Sequence, residues 1–462
     1  MEKIRDVVII GAGIAGLATA YELVENRPDL NIIILEQGND INERICPIIA
    51  KKVEKCINCK KCSIMKGFGG AGSFSDGKYN FTTEFGGWLN RYIPNEEVME
   101  LIEYVDKMNM RFGACDEMYS TDTPKAREIE KKALENDLHL LHAKVKHLGT
   151  ENNLKILKDM NKYLKEKVEL RCGVKATDIL KSEDGYSVIL DDGTEIKTKF
   201  IVAAPGRAGA EWFSDACKKL NIPLINNQVD LGVRVEVPAI LLEDITSNIY
   251  EAKIKYRTKC YGNIVRTFCM NPYGYVVTEN VDGVITVNGH SYSDRALGSN
   301  NTNFALLVSS EFTEPFNDPY QYGKRVASFS NLLGNGIIVQ RFGDLVKGRR
   351  TTKQRLEKSF VKPTLTSAEP GDLSYVLPKR ILDSIIEMIY KLDKIVPGIA
   401  NEDTILHGVE VKFYSARPEL SNCLETKYEN FFAIGDGAGV SRGLSQAGAS
   451  GVLVAREILK RV

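Results

Sequence analysis

A chain of 462 residues, 43% hydrophobic and 26% charged, is long enough for two or three domains and has the composition of an ordinary soluble globular protein. Its 61 basic and 61 acidic side chains cancel, which disfavours a general nucleic-acid or anionic-membrane surface. The first apolar stretch is cut by glycines and lacks both a signal-peptide cleavage site and the length of a membrane span, so a cytoplasmic protein is expected.

The chain opens on a strand, a glycine turn, a helix and a second strand. Val7 to Ile10 is short and β-branched, as a strand buried on both faces should be. In the Gly11-Ala-Gly13-Ile-Ala-Gly16 turn the first glycine permits the tight bend. The second admits a pyrophosphate close to the backbone, and the third brings helix and strand together. The unpaired N–H groups and positive dipole end of the helix then receive the negative charge. Glu36 closes the second strand 20 residues after Gly16, where a carboxylate accepts the ribose 2′-OH hydrogen bond.

Residues 39–80 show little periodicity but a dense series of special residues: Arg44, Cys46-Pro47, Cys56-x2-Cys59-x2-Cys62, then glycine-rich 67–72 and Ser75-Asp76-Gly-Lys78. A loop of this length is expected to be functional. Apolar spacing predicts helices over 95–110, 124–148 and 150–168. His139 and His142 would lie one helical turn apart, but without a third ligand a solvated or hydrogen-bonded face is the preferred reading.

Strands are expected over 168–179, 186–190 and 195–204, the last running out through Ala204-Pro-Gly206 to Arg207. From 226 to about 378 the chain turns aromatic- and β-rich, which predicts a separate, mainly antiparallel substrate domain. Within it, Lys347 to Arg350 reads as a solvated basic loop. Residues 380–392 form an amphipathic helix expected to return toward the first domain. Near the end stands a second strand-turn-helix, with Gly435-Asp436 in the turn and Ala447-Gly448 in the helix. Asp436 suits the ribityl or phosphate region of a cofactor, and helix N–H groups near Ala447 suit a reduced flavin ring.

Through these three motifs, near its start, middle and end, the sequence resembles the FAD-dependent oxidoreductases of the glutathione reductase-like superfamily. With the stretch 67–78 and the cysteine spacing added, it is similar over nearly its whole length to the uncharacterised FAD-dependent dehydrogenases of bacteria and archaea. The resemblance implies FAD as cofactor, and as its contact set Gly11, Ala12, Gly13, Ala15, Gly16, Glu36, Gln37, Arg44, Gly70, Val174, Ala204, Gly206, Gly435, Asp436, Ala447 and Gly448. The expected fold is α/β: a Rossmann-like FAD-binding domain with a central parallel sheet, and a mainly antiparallel α+β substrate domain. The FAD-binding domain would comprise 1–225, with a helical insertion at 95–168, and 393–462. The substrate domain would comprise 226–392. No second GxGxxG unit is present, so a dedicated NAD domain is not expected and the electron donor stays open.

Cys46, Cys56, Cys59 and Cys62 resemble the ligand spacing of a [4Fe-4S] ferredoxin, but the Cys-Pro precedes the triplet instead of following it. Structural zinc and free or redox thiols remain alternatives. A cluster here would lead directly into the glycine-rich segment and could pass single electrons to the flavin. Ser75, Asp76, Lys78, His290, Tyr292 and Glu410 are candidates for proton delivery, though turn capping and sheet packing explain them equally well. The function expected is a dehydrogenase moving a hydride or electron pair between flavin N5 and a small organic substrate. An electron-transfer or redox-sensing protein with a protein partner is the alternative. A flavoprotein acting on RNA is a third reading, which the balanced charge disfavours.

Overall fold

The computed structural model describes residues 4–462 apart from 48, 51, 54–56, 58, 60, 76, 250, 282, 293, 294, 314 and 317. The chain divides into two compact units. Unit 1 comprises 1–119, 143–227 and 414–462, and unit 2 comprises 120–142 and 228–413.

Unit 1 is built on β1 (Arg5–Ile10), α1 (Ile14–Asn26) and β2 (Ile32–Glu36). Helix α2 (Asn95–Arg111) is followed by β3 (Glu169–Cys172), β4 (Ala176–Ser182), β5 (Gly185–Leu190) and β6 (Glu195–Ala203). The chain returns to this unit with β7 (Phe431–Ala433) and α3 (Leu444–Leu459). The sheet runs β3-β2-β1-β6-β5-β4, with β7 added in parallel to the end of β6. Strands β3, β2, β1, β6 and β7 are parallel, and β4-β5 is an antiparallel extension of β6. Val7, Val8, Ile9 and Ile33, Ile34 are fully buried because helices cover the parallel strands. Helix α1 lies against α3 so closely that the Thr19 hydroxyl donates to both the Ala15 and the Gly451 carbonyl.

Unit 2 carries an eight-stranded sheet in the order Glu369–Pro370, Ile338–Arg341, Ile405–Lys412, Val229–Pro238, Asn301–Ser310, Ile264–Asn271, Lys253–Arg257 and Leu138–Leu141. All pairings are antiparallel except the first. The central strand Val229–Pro238 alternates: Val229, Leu231, Val233, Val235 and Val237 enter an apolar core with Ile381, Ile385 and Met388 of helix Lys379–Ile395. The opposite face carries Asp230, Arg234 and Glu236, all buried. Two-stranded Tyr275–Val281/Val284–His290 lies on that face, with Gly289 directly over Arg234.

Several expectations need correction. The helix expected over 124–148 stops at Leu134, and Leu138–Leu141 and Lys144–His147 are strands. The left-handed φ of Asp137 turns the chain there, and Leu138 and Leu140 alternate inward against Lys253–Arg257. The strand expected over 168–179 is two, broken at Gly173. Residues 120–142 cluster with unit 2 instead of inserting into the first domain, and unit 2 extends to 413 instead of 392. The reason is pairing, since Ile405–Lys412 lies between two strands of that sheet. Helix Lys379–Ile395 packs on unit 2's own core.

Candidate functional site

The first turn forms because only glycine fits twice. A Cβ at Gly11, which has φ +110°, would overlap the Ala204 carbonyl at the end of β6, and a Cβ at Gly16 would overlap the Gly11 carbonyl. A Cβ at Gly13 would meet nothing within 4 Å. Helix α1 therefore starts under open space, with no capping side chain and no acid in its first turn. Its free N–H groups are the anion receptor expected from the sequence.

Glu36 is buried at the end of β2. Its Oε2 accepts the Ala12 N–H at 2.9 Å, and its Oε1 accepts those of Gly38 at 2.8 Å and Gly67 at 2.9 Å. A carboxylate has about four acceptor positions. Three are used, which leaves one on Oε2 for a ribose hydroxyl. Gln37 lies beside Gly209, and the Val174 N–H donates to the Glu36 carbonyl at 3.1 Å, closing the same end.

The segment after the cysteines runs along this cradle. Gly67 meets Glu36, the Gly69 N–H donates to the Ala12 carbonyl at 2.7 Å, and Gly13 and Gly69 pair as a parallel bridge. Gly70 faces Gly13, and Gly72 faces Leu444 at the start of α3. Residues 67–72 thus pass from the ribose end, over the pyrophosphate turn, to the second helix terminus. Arg44, expected among the cofactor contacts, holds this segment. It is buried and donates to the carbonyls of Ser63, Ile64, Phe68 and Gly70 and to the Ser73 hydroxyl, all at 2.6–2.9 Å. Burial pushes its pKa down to about 10, with Glu36 the largest opposing influence.

The late turn stacks on the first. Gly435 faces Ala15 of α1, and Gly437 lies against the carbonyl of Gly206. Asp436 accepts from the Ser441 hydroxyl at 2.7 Å and faces Arg207 at 3.9 Å. Helix α3 again has no capping side chain and no acid in its first turn. The Ser445 hydroxyl there is buried without a partner, an orphaned polar atom where a ligand is needed. Ala447 is buried within the same turn region, whereas Gly448, expected at the flavin ring, faces Val105 of α2. The two cradle ends fit a dinucleotide with a further ring system at α3, which is the shape of FAD.

Sequence reasoning missed the segment that flanks α3. Gln446 accepts the Leu89 N–H and donates to the Phe85 carbonyl, both at 3.2 Å, and the Trp88 N–H donates to the Val440 carbonyl at 2.9 Å. Trp88 meets Tyr414 edge to face at 5.2 Å, and Arg442 lies 4.4 Å from the Tyr414 ring. The Gly86-Gly87 pair was the available signal, since Gly87 pairs with Ser441 in an isolated bridge.

The cysteine candidates divide. Cys56 and Asp76 lie outside the described residues. Cys46 and Cys62 are half-buried, and Cys59 is exposed. Among the described residues no three His, Cys, Asp or Glu side chains gather around one point as a metal set. Lys61 donates to the Gly173 carbonyl at 3.1 Å, next to Val174 and Glu36. Lys61 of the cysteine loop therefore reaches the backbone beside the ribose end of the cradle.

His139 is exposed on a strand, and His142 pairs with Glu130 at 2.7 Å. Ser75 closes a turn by donating to the Gly72 carbonyl at 2.6 Å, and Lys78 opens strand Lys78–Phe81. His290 and Tyr292 are exposed and meet edge to face at 4.9 Å. Glu410 is fully buried and held by both arms of Arg234, at 2.8 and 2.9 Å, and by Lys412 at 3.0 Å. The basic cluster is tied down through the buried Asp344, which Arg349 reaches at 2.8 Å.

No helix among the described residues is long and apolar enough to cross a membrane. Residues 6–44 match the family model described as FAD dependent oxidoreductase, and residues 228–413 match one described as FAD-dependent protein, C-terminal domain-like. A protein of Clostridium beijerinckii called "Uncharacterized protein" is 26% identical over 98% of this chain and 80% of its own length. The mitochondrial L-2-hydroxyglutarate dehydrogenase of Dictyostelium discoideum is 52% identical over 40 residues, 9% of each chain. The crystal structure of glycine oxidase from Geobacillus kaustophilus superposes with a TM-score of 0.39 at 12% identity, covering 99% of this chain and 95% of that one.

Proposed function

We propose that the chain, an FAD-dependent oxidoreductase by its two family matches and its dinucleotide cradle, is a dehydrogenase of the glutathione reductase-like superfamily, close in kind to the uncharacterised bacterial and archaeal FAD-dependent dehydrogenases. When bound, FAD supplies the hydride or electron-pair exchange at N5 with a small organic substrate. The rest is done by the protein. Glu36 orients the ribose, the α1 terminus holds the pyrophosphate, and Asp436 stands at the ribityl region. The α3 terminus, with its uncapped N–H groups and the Ser445 hydroxyl, directs donors at the place where negative charge grows on reduction.

The α3 terminus without a capping side chain, with the buried Ser445 hydroxyl lacking a partner among the described residues, is the observation that carries the reading. A [4Fe-4S] cluster at Cys46, Cys56, Cys59 and Cys62 passing single electrons to the flavin stays a proposal of its own, beside structural zinc and free or redox thiols. The test is an anaerobic spectrum with flavin, iron and zinc quantification, followed by reduction with NADH, NADPH and small organic substrates. One FAD per chain, reduced by a small molecule without a protein partner, is expected. A colourless protein that takes up no FAD overturns the reading.

A further inference from the structure

On helix Lys379–Ile395 of unit 2, Lys379 and Asp383 stand four residues apart and pair at 2.7 Å. Lys353 and Glu357 have the same spacing on helix Lys353–Lys358, yet among the described residues neither has a partner. Lys362 reaches back to that helix, but its ammonium donates to the Glu357 backbone carbonyl and leaves the carboxylate alone. Glu369 is likewise without a partner among the described residues. These four side chains line one cavity of about 400 Å³. That volume falls in the range of roughly 300–1,000 Å³ usual for small-molecule sites.

The cavity lies between the helix and the residues that follow it, 362–370. The helix brings Lys353 with Glu357 and the following segment brings Lys362 with Glu369, so a ligand of a single sign would meet like charge from both. Leu356 and Ala368 supply an apolar floor, since both pack on the buried cluster of Val339, Val361 and Ile405. The lining also includes the rim of the eight-stranded sheet: strand Glu369–Pro370 is the first in its order and pairs on one side, with Ile338–Arg341. The Glu369 N–H donates to the Ile337 carbonyl and that of Gly371 to the Val339 carbonyl. Alternation turns the Pro370 carbonyl between them outward, and proline has no N–H to offer beside it. Such an edge accepts hydrogen bonds and returns none, which suits the N–H groups of an extended chain.

We infer that this cavity binds a short peptide with free termini, of about two or three residues. The peptide's ammonium meets Glu357 and Glu369, its carboxylate meets Lys353 and Lys362, and an apolar side chain covers Leu356 and Ala368. A backbone N–H donates to the Pro370 carbonyl. The site lies wholly within unit 2 and does not depend on the flavin reading.

The test is calorimetric titration of the full chain with the tripeptide Ala-Leu-Ala, with the same tripeptide acetylated and amidated at its ends, and with leucine, inorganic phosphate and spermidine. The free tripeptide should bind, and blocking its ends should weaken binding by about tenfold or more. Lys353→Gln and Glu369→Gln should each weaken it by about threefold to tenfold. Their melting temperatures should match wild type, because neither side chain has a partner to lose. No binding of Ala-Leu-Ala, equal binding of the blocked form, unchanged binding in both variants, or a lowered melting temperature in both overturns the inference. Leucine, phosphate or spermidine binding as tightly as the tripeptide overturns it too, by making the cavity a site for a smaller or singly signed ligand.

Discussion

Two buried polar groups of residues, one in each unit, are completed to different degrees. On the charged face of Val229–Pro238 in unit 2, Arg234 is clasped by Glu410, and Glu236 by His407 at 2.9 Å, Asn301 at 2.9 Å and the Thr364 N–H. In the cradle of unit 1, the α1 and α3 termini have no capping side chain and the Ser445 hydroxyl has no partner. Burial alone thus does not separate scaffold from site. What separates Arg234, Glu236 and Glu410 from the Ser445 hydroxyl is that the protein supplies their partners, although His407 Nδ1 and Asn303 Nδ2 beside them have none.

The sharpest way to break this contrast is Arg234→Met, which leaves the buried Glu410 only Lys412 as an ion-pair partner among the described residues and should cost about 3–5 kcal/mol in a urea melt. Arg234→Met with Glu410→Leu should recover most of that loss, because both charges then leave together. If the double variant is no more stable than the single one, the pair is not the cause.

Next in size is Glu36→Gln. An amide in place of the carboxylate turns one acceptor into a donor against backbone N–H groups, so FAD affinity should fall about tenfold to hundredfold by fluorescence titration. An unchanged affinity would place the ribose elsewhere.

Acid sharpens the comparison from the side of unit 2. Glu387 is held down to about 2: burial opposes this, but hydrogen bonds from Cys260, Tyr256 and the Lys259 and Cys260 amides outweigh it. Its folded pKa lies below the ordinary 4.5, so its stabilisation is complete above that pH and is lost as pH falls toward about 2. Wild type should therefore exceed Glu387→Gln in melting temperature near neutrality, and the gap should close between those two values. A gap independent of pH would refute the assignment.

The smallest effect is expected from Ser445→Ala. FAD binding should weaken by about 0.5–1.5 kcal/mol, with the apoprotein as stable as wild type or more so, since a hydroxyl without a partner is removed.

The parallel sheet and both glycine turns were legible because their requirements are local: Gly11 and Gly16 must lack a side chain within a few residues of the strand they follow. Glu36 was legible from its distance to that turn. Leu138–Leu141 was not, since its partner Lys253–Arg257 lies more than a hundred residues on and only that pairing makes it a strand. That Arg44 holds the carbonyls of the glycine-rich segment was not legible, because a buried arginine bonding to backbone has no sequence signature of its own.

One acid ties three stretches of chain, through Ala12, Gly38 and Gly67, before any ligand arrives. The ordering entropy of that corner is spent during folding, not during capture. Loading the cofactor there should resemble docking onto a rigid surface, fast and without induced reshaping, with lifetime on the protein governed by escape.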